Sequence, residues 1–262
     1  MPKILLFIAF LCFTYQLQAQ TWEIGGSIGG AGYIGDLNPN HPARLSGVSA
    51  GVFGKRNFDG YFSAKLNIAV GSISAYDSRS SNPQFRDRNL NFKDELREVS
   101  FIGEFNFMNY IPDAGPNRYT PYIFTGIGIT SYAPRAQDFK GSEVGLRQLK
   151  TEGQAKPYGQ NTVVIPYGLG IKYNFSGKFS IMADMGYRYA FTDYLDDVSG
   201  VYANKSSFSS STARALSDRS GERTGVYTGT AGSQRGDGKS HDTYFFLNFT
   251  IAFTFVTSNC YY

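Results

Sequence analysis

The chain has 262 residues, enough for one or two domains, and its formal net charge of +4 is too small to indicate a nucleic-acid partner. It contains 30 glycines and 16% aromatic residues but only 18% charged residues, a composition that favours many strands and turns over helices. With two cysteines in the whole chain, a metal site built from several cysteines is excluded.

The N-terminus has the features of an export signal. Lys3 precedes a short apolar run, and a cleavage context follows at Ala19. The apolar run is too short for a membrane-spanning helix, which takes roughly 20 residues. We therefore predict a signal peptide over 1–19 and a single domain over 20–262. Cys260 is then the only cysteine of the mature chain, which excludes an intramolecular disulfide.

The segment 245–255 alternates strictly between large apolar residues and small or polar ones. This period of two predicts a strand with one apolar face and one polar face. A lipid-facing barrel strand fits both faces, because lipid requires an apolar exterior and the lumen tolerates polar groups. The apolar positions are Phe245, Leu247, Phe249, Ile251, Phe253 and Phe255.

Seven earlier segments alternate in the same way, and short or intermediate connections alternate with long polar ones. This pattern predicts an all-β fold: an eight-stranded antiparallel transmembrane barrel of an outer membrane, with short periplasmic turns and long external loops. We expect the part of the last loop at 206–240 to be mobile, since it has few large apolar residues. The seven segments are 22–30, 45–54, 61–72, 97–107, 121–130, 162–175 and 179–192.

Charged residues fall on the strand face that the alternation assigns to the lumen. The interior of an eight-stranded barrel is just wide enough to be filled by side chains. These charges either line a path for ions or solutes or pair with one another as a polar plug, and the cost of burying charge favours the plug. The predicted lumen-facing residues are Lys65, Glu98, Glu104, Lys172, Asp184 and Arg188.

The chain offers little material for catalysis. Both histidines, His41 and His241, fall in or beside predicted external loops, and a lipid-modifying enzyme would need one of them beside a Ser or Asp. Carboxylates at Asp193, Asp196 and Asp197 suit calcium in their chemistry, but their spacing is not that of an EF-hand. We expect no catalytic residue, cofactor, metal, nucleic-acid partner or small-molecule substrate.

The connection 108–120 is longer than a tight turn requires. Its prolines would hold it in one shape before binding, which lowers the cost of ordering it on a partner. The sequence therefore predicts a surface for a periplasmic partner here, with a merely rigid turn as the alternative. The candidate residues, of types common at interfaces, are Tyr110, Ile111, Arg118 and Tyr119.

Three stretches resemble the PorG-like outer-membrane barrel family of Bacteroidetes. They are Tyr-Ile-Gly-Asp-Leu-Asn from Tyr33, Pro-Tyr-Gly-Leu-Gly-Ile-Lys-Tyr from Pro166, and Thr-Asp-Tyr-Leu-Asp-Asp-Val-Ser-Gly from Thr192. The third stretch contains the family-like residues Asp193, Tyr194, Asp196 and Asp197.

This resemblance implies an outer-membrane component of the type IX secretion system. Besides the outer-membrane lipids, it implies contact with a periplasmic ring built from a lipoprotein and its partner protein, which are PorK and PorN in that family. It implies no catalytic residue. Two alternatives stay open: a general small barrel of the porin or adhesin kind that works through its external loops, and an outer-membrane lipid-modifying enzyme.

Overall fold

A computed structural model describes residues 21–113, 115–138 and 141–255, so the predicted signal peptide and Cys260 lie outside the described residues. The fold is dominated by eight long strands, with a small hairpin between the fifth and the sixth of them. The strands are β1 (Thr21–Ile34), β2 (Leu45–Asn57), β3 (Phe62–Tyr76), β4 (Asn91–Asn106), β5 (Tyr119–Ser131), the hairpin β6 (Arg135–Gln137) and β7 (Glu143–Gly145), β8 (Asn161–Ser176), β9 (Phe179–Ala190) and β10 (Thr243–Phe255).

The short helices all lie in connections between these strands. None of the helices in the described ranges is long and apolar enough to cross a membrane. They are α1 (Pro83–Arg88), α2 (Ser211–Ser217) and α3 (Ser220–Thr224), accompanied by 3₁₀ turns at Asp77–Arg79, Arg147–Leu149 and Lys205–Ser207.

The eight long strands close into an antiparallel barrel. Neighbours along the chain pair with one another, and β10 returns to pair with β1 from Trp22 opposite Phe255 to Ile34 opposite Thr243. The pairing of β3 with β4 completes the ring, so the barrel has no open edge, as a sheet in lipid requires. Each predicted segment falls within or over one strand, which confirms the all-β, eight-stranded antiparallel fold. The hairpin β6–β7 was not predicted.

The outer wall of the barrel is apolar. Ile28 is 71% exposed, Leu169 65% and Phe249 60%, and similar side chains continue around the wall. So large an exposed apolar surface is foreign to a soluble monomer and typical of a barrel that faces lipid. At the short-turn end, exposed aromatic rings form a girdle of the kind that lies at a membrane interface: Trp22, Phe62, Phe107, Tyr119, Phe175, Phe179 and Phe255.

At the end with the long loops, the strands extend beyond the apolar outer wall that faces lipid, which is called the lipid belt below. β4 begins at Asn91 rather than at residue 97, and in this extension the alternation is inverted. Phe92 and Leu96 point inward and are buried, whereas Lys93 and Glu95 point outward and are exposed. Above the lipid belt, therefore, the exterior of the barrel is polar and its interior is an apolar core.

The external loops fold over this core and form a cap. Leu37 comes from the connection between β1 and β2, Leu195 and Leu216 come from the connection between β9 and β10, and all three pack into one buried cluster. The expectation that 206–240 is mobile is wrong, because α2 and α3 lie within it and Leu216 and Arg235 are each only 3% exposed. The segment has few large apolar residues, and buried charged groups fix it to the neighbouring loops instead.

Candidate functional site: a filled lumen with two closed ends

A cluster around Glu104 fills the half of the lumen nearer the short turns. Inward positions of β2, β3 and β8 bring three lysines to this carboxylate: Lys172 Nζ lies 2.6 Å from Oε2, Lys65 Nζ 2.7 Å from Oε1 and Lys55 Nζ 3.6 Å from Oε2. Lys55 Nζ also lies 2.8 Å from Glu23 Oε1. Three lysines and two glutamates nearly balance, so the buried charges stabilise one another.

A second cluster surrounds Glu98 nearer the external end. Arg188 Nε donates to Glu98 Oε2 at 3.1 Å, and the Tyr244 hydroxyl donates to the same oxygen at 2.8 Å. Ser100 Oγ donates to the other carboxylate oxygen at 2.8 Å. The Arg188 guanidinium also lies over the Phe246 ring, 4.3 Å from its centroid. Both oxygens of the carboxylate and the face of the guanidinium thus have partners.

Little space is left between the two clusters. Asp184 accepts hydrogen bonds at 3.3 Å from Asn248 Nδ2 and at 3.3 Å from the Tyr122 hydroxyl. A cavity of about 20 Å³ beside it is lined in part by Lys65 and Arg188 and has room for about one water molecule. The six residues predicted to face the lumen all lie on the inner side of the wall: Lys65, Glu98, Glu104, Lys172, Asp184 and Arg188.

The sequence prediction omits two members of the Glu104 cluster, Glu23 and Lys55. Glu23 lies between the outward residues Trp22 and Ile24, and this alternation was a usable signal for an inward carboxylate. Lys55 was assigned to a turn, because the predicted strand ended at residue 54 whereas β2 continues to Asn57.

The connection between β4 and β5 closes the short-turn end. Tyr110 is 4% exposed, and its hydroxyl forms a 2.7 Å hydrogen bond with Ser180 Oγ inside the barrel mouth. This corrects the prediction for Tyr110, whose ring is not available to a partner. Tyr119 is exposed, but it begins β5 and belongs to the aromatic girdle on the outer wall. Ile111 is half-buried, and Arg118 alone of the four is exposed on the connection itself.

At the external end, Tyr33 of β1 contacts two distant positions of the connection between β9 and β10. Its hydroxyl lies 2.5 Å from Asp196 Oδ2 and 3.0 Å from Asp242 Oδ1. The second oxygens of these carboxylates accept backbone N–H groups, from Val198 to Asp196 at 2.9 Å and from Leu195 to Asp242 at 3.0 Å. The family-like residue Asp196 therefore holds the fold of the cap.

Two further carboxylates, of Asp36 and Asp193, complete an acidic group in the cap. Burial raises the pKa of Asp36 to about 7 and that of Asp193 to about 7. Burial, reinforced by the neighbouring acids, raises the pKa of Asp196 and of Asp242 well above the ordinary value. Oδ2 of Asp36 and Oδ2 of Asp193 have no hydrogen-bond partner among the described residues. These pKa shifts favour the protonated carboxyls, so we expect the stability of the cap to depend on pH.

The rest of the family-like motif is also interior to the cap. Thr151 Oγ1 donates to Asp197 at 2.5 Å, the Tyr158 hydroxyl donates to it at 2.8 Å, and Arg235 Nη2 lies 3.8 Å away. The ring of Tyr194 stacks on Tyr158 with centroids 4.5 Å apart. Within the part of the chain that the structure describes, no three Asp, Glu, His or Cys side chains meet as a metal site.

The two histidines have different surroundings in the structure. His41 is exposed in the loop before β2, and His241 stacks on Tyr189 with ring centroids 4.2 Å apart. Over the described ranges, neither imidazole hydrogen-bonds to a Ser or Asp side chain.

A family model described as "Domain of unknown function (DUF6089)" matches residues 2–230. No curated protein sequence matches the chain. The solved structure of the outer membrane protein OprG from Pseudomonas aeruginosa is 9% identical, with 93% of this chain and 99% of that one covered and a TM-score of 0.46.

A major outer membrane protein from Thermus thermophilus is 10% identical, covering 91% of this chain and 100% of its own, with a TM-score of 0.46. The N-terminal β-barrel domain of Pseudomonas aeruginosa OprF is 13% identical, covering 92% and 100%, with a TM-score of 0.40. At these identities and TM-scores, the similarity says nothing of activity or partners.

Proposed function

The chain belongs to the family described as a domain of unknown function (DUF6089), and we propose that it is a non-conducting outer-membrane barrel that anchors a protein secretion machine. Its partner is a periplasmic ring formed by a lipoprotein and a second protein, of the PorK and PorN kind, in type IX secretion. The barrel contributes a fixed point in the membrane and no catalysis.

The filled lumen carries this proposal. The Glu104 and Glu98 clusters leave a cavity of about 20 Å³ between them, too small for a hydrated ion or a solute to pass. A barrel that conducts nothing acts through its surfaces and its two ends. The motifs from Tyr33, Pro166 and Thr192, which resemble the PorG-like family, favour a role in secretion over other surface roles.

The short-turn face suits a partner in the periplasm. Tyr110 is held inside the barrel mouth, so the connection that carries it is fixed before any partner arrives, which lowers the cost of binding. Arg118, Asp59 and Lys178 stay exposed on this face. A shortened connection would also remove Tyr110, which closes the barrel mouth. Single substitutions on the exposed surface therefore test the interface more cleanly.

The test is capture of the periplasmic ring proteins by the barrel with Arg118→Glu, after heat-dependent gel mobility has shown normal insertion. Arg223→Glu is the matched control, since Arg223 is an exposed arginine of the external cap. We expect Arg118→Glu to weaken capture and Arg223→Glu to leave it unchanged. Failure of the wild-type barrel to capture any ring protein would contradict the anchoring role.

A second candidate is a general small barrel that works through its external loops. The folded cap favours it, because exposed apolar side chains such as Val226, at 65%, and Tyr227, at 59%, are presented on an ordered surface. Replacing both by Ser distinguishes the two functions. Loss of cell-surface binding in this variant would favour the loop function. No change in cell-surface binding, ring capture or secretion would favour the anchoring role.

A further inference from the structure

The loop between β1 and β2 folds down over the outside of the barrel. The Tyr187 hydroxyl, on the outward row of β9, donates to the Pro42 carbonyl at 3.3 Å. Phe245 has the same outward parity as Phe249, yet it is only 1% exposed, whereas Phe249 is 60% exposed. The loop and its neighbours therefore cover the upper end of the lipid-facing wall.

A cleft of about 220 Å³ separates this loop from the outer wall of β2 and β3. Three basic residues line it, and no acidic residue does. The remaining lining is mostly serine, asparagine and backbone, with one aromatic ring, from Tyr76. The basic residues are His41, Arg44 and Arg79.

The two arginines are available to an anion. Arg79 lies over the Tyr76 ring, with the guanidinium carbon 4.5 Å from the centroid, which orients it without neutralising its charge. In the described ranges neither Arg44 nor Arg79 forms an ion pair, whereas Arg88 and Arg235 are both paired with carboxylates. Unpaired arginines facing one acid-free cleft create a positive potential that attracts phosphate.

The wall of the cleft is also held in shape. Arg86 Nη1 donates to the Ser80 and Ser81 carbonyls at 2.9 Å each, and the backbone N–H of Ser74 donates to Ser46 Oγ at 3.1 Å. A fixed wall lowers the cost of ordering the site when an anion binds.

We propose that this cleft binds the phosphate group of an outer-leaflet lipid. Arginine matches phosphate with paired, charge-assisted hydrogen bonds. Directly below the cleft, Leu45 is 50% exposed, Val48 70% and Val70 51%, so the acyl chains of the same lipid lie along the outer wall. The volume is below the roughly 300–1,000 Å³ of pockets that enclose drug-sized molecules, which suits a headgroup fragment.

This site extends the proposed function without depending on secretion. It rests on the outer-membrane location, and it would fix the depth and tilt of the barrel by holding it to the headgroup layer. The experiment therefore uses the purified, folded barrel alone, so that a missing periplasmic partner does not affect the result.

Native mass spectrometry of the detergent-solubilised barrel counts bound lipid. The probes are a phosphorylated disaccharide lipid, its dephosphorylated counterpart and inorganic phosphate. We expect each barrel to bind one molecule of the phosphorylated lipid. The dephosphorylated lipid should bind at least about tenfold more weakly, because it loses at least one charge-assisted hydrogen bond. Inorganic phosphate, which lacks acyl chains, should compete poorly.

The matched variants are Arg44→Ser with Arg79→Ser, and Arg135→Ser as control. Arg135 is an exposed arginine at the same end of the barrel, 3.9 Å from Glu143 and outside the cleft. The double variant should lose the preference for the phosphorylated lipid, and the control should keep it. Equal binding of the two lipids by the wild type, an unchanged preference in the double variant, or equal affinity for inorganic phosphate would each overturn the proposal.

Discussion

Lys172 Nζ lies 2.6 Å from Glu104 Oε2, and both side chains are at most 1% exposed. The same carboxylate faces Lys65 and Lys55. One anion thus stabilises three ammonium groups contributed by three different strands. The ion pairs across the lumen link β2, β3, β4 and β8, so the plug also braces the barrel.

Glu104→Gln should destabilise the barrel by about 3–5 kcal/mol, because removing one partner leaves buried charges uncompensated. Unfolding in guanidinium, followed by the fluorescence of Trp22, measures the effect. Glu143→Gln is the control, since that exposed carboxylate lies 3.9 Å from Lys93 and from Arg135 and should contribute about 0–1 kcal/mol. Equal stability of the two variants would show that Glu104 does not hold the plug.

Phe249→Arg tests the register of the closing strand. Phe249 pairs with Ile28 of β1 and Ala183 of β9, in the middle of the lipid-facing wall. An arginine there should cost about 2–4 kcal/mol near the bilayer midplane. The measurement is the temperature at which the inserted barrel loses its fast gel mobility.

Val226→Arg is the control for that substitution. Val226 is 65% exposed in the external cap, so an arginine there meets water and should change stability by less than about 0.5 kcal/mol. If Phe249→Arg resisted heat as well as Val226→Arg, the outward assignment of the odd positions in β10 would be wrong.

The sequence predicts the barrel because lipid imposes one rule on every strand. Where the outside is hydrocarbon, as at Phe249, the period of two is plain. The sequence prediction misses the outer ends of the strands, where water replaces lipid outside the barrel. At Phe92 and Leu96 the apolar residues are the inward ones, because water lies outside and the cap lies above. The alternation persists there with opposite sign, and a criterion that seeks outward apolar residues stops too early.

The acidic group of the external cap is harder to predict from the sequence, for another reason. Tyr33, Asp196 and Asp242 come together from distant parts of the chain, and the composition of the loops gives no sign of their pairing. The sequence shows the charge of these acids and not their burial. The burial of Tyr110 is equally hard to predict, since an aromatic residue in a turn suits an interface as well as the closure of the barrel mouth.

The cap should loosen as pH rises. In the folded cap the pKa of Asp36 and of Asp193 is about 7, against about 3.9 in an unfolded chain. A folded pKa that is raised means that the stabilising contribution is fully present below about pH 4 and is lost as pH rises through about 7. Asp196 and Asp242 act in the same direction.

Hydrogen exchange of the cap at about pH 5 and about pH 8, corrected for intrinsic rates, checks this prediction. The charged neighbours that modulate it include Arg88, Glu152, Asp237 and Lys239. Asp242→Asn should reduce the difference between the two pH values, and Asp87→Asn, at an exposed carboxylate beside Arg223, should not. Protection that increases with pH in the wild type would show that these acids are ionised in the folded cap.

The barrel should conduct no ions, and the filled lumen rather than Tyr110 at the barrel mouth should be the reason. Tyr110→Ala removes a ring that is 4% exposed and its hydrogen bond to Ser180, at a cost of about 3–5 kcal/mol for a buried aromatic. Even so, the Glu104 cluster lies beyond Tyr110 and still fills the cross-section. Planar-bilayer recordings should therefore show no stable open state for the wild type or for Tyr110→Ala.

Tyr110→Phe, which keeps the ring and loses only the hydroxyl, should cost about 0.5–1.5 kcal/mol and also stay closed. A steady conductance in Tyr110→Ala alone would move the barrier to the short-turn mouth, and a steady conductance in the wild type would revive the porin alternative.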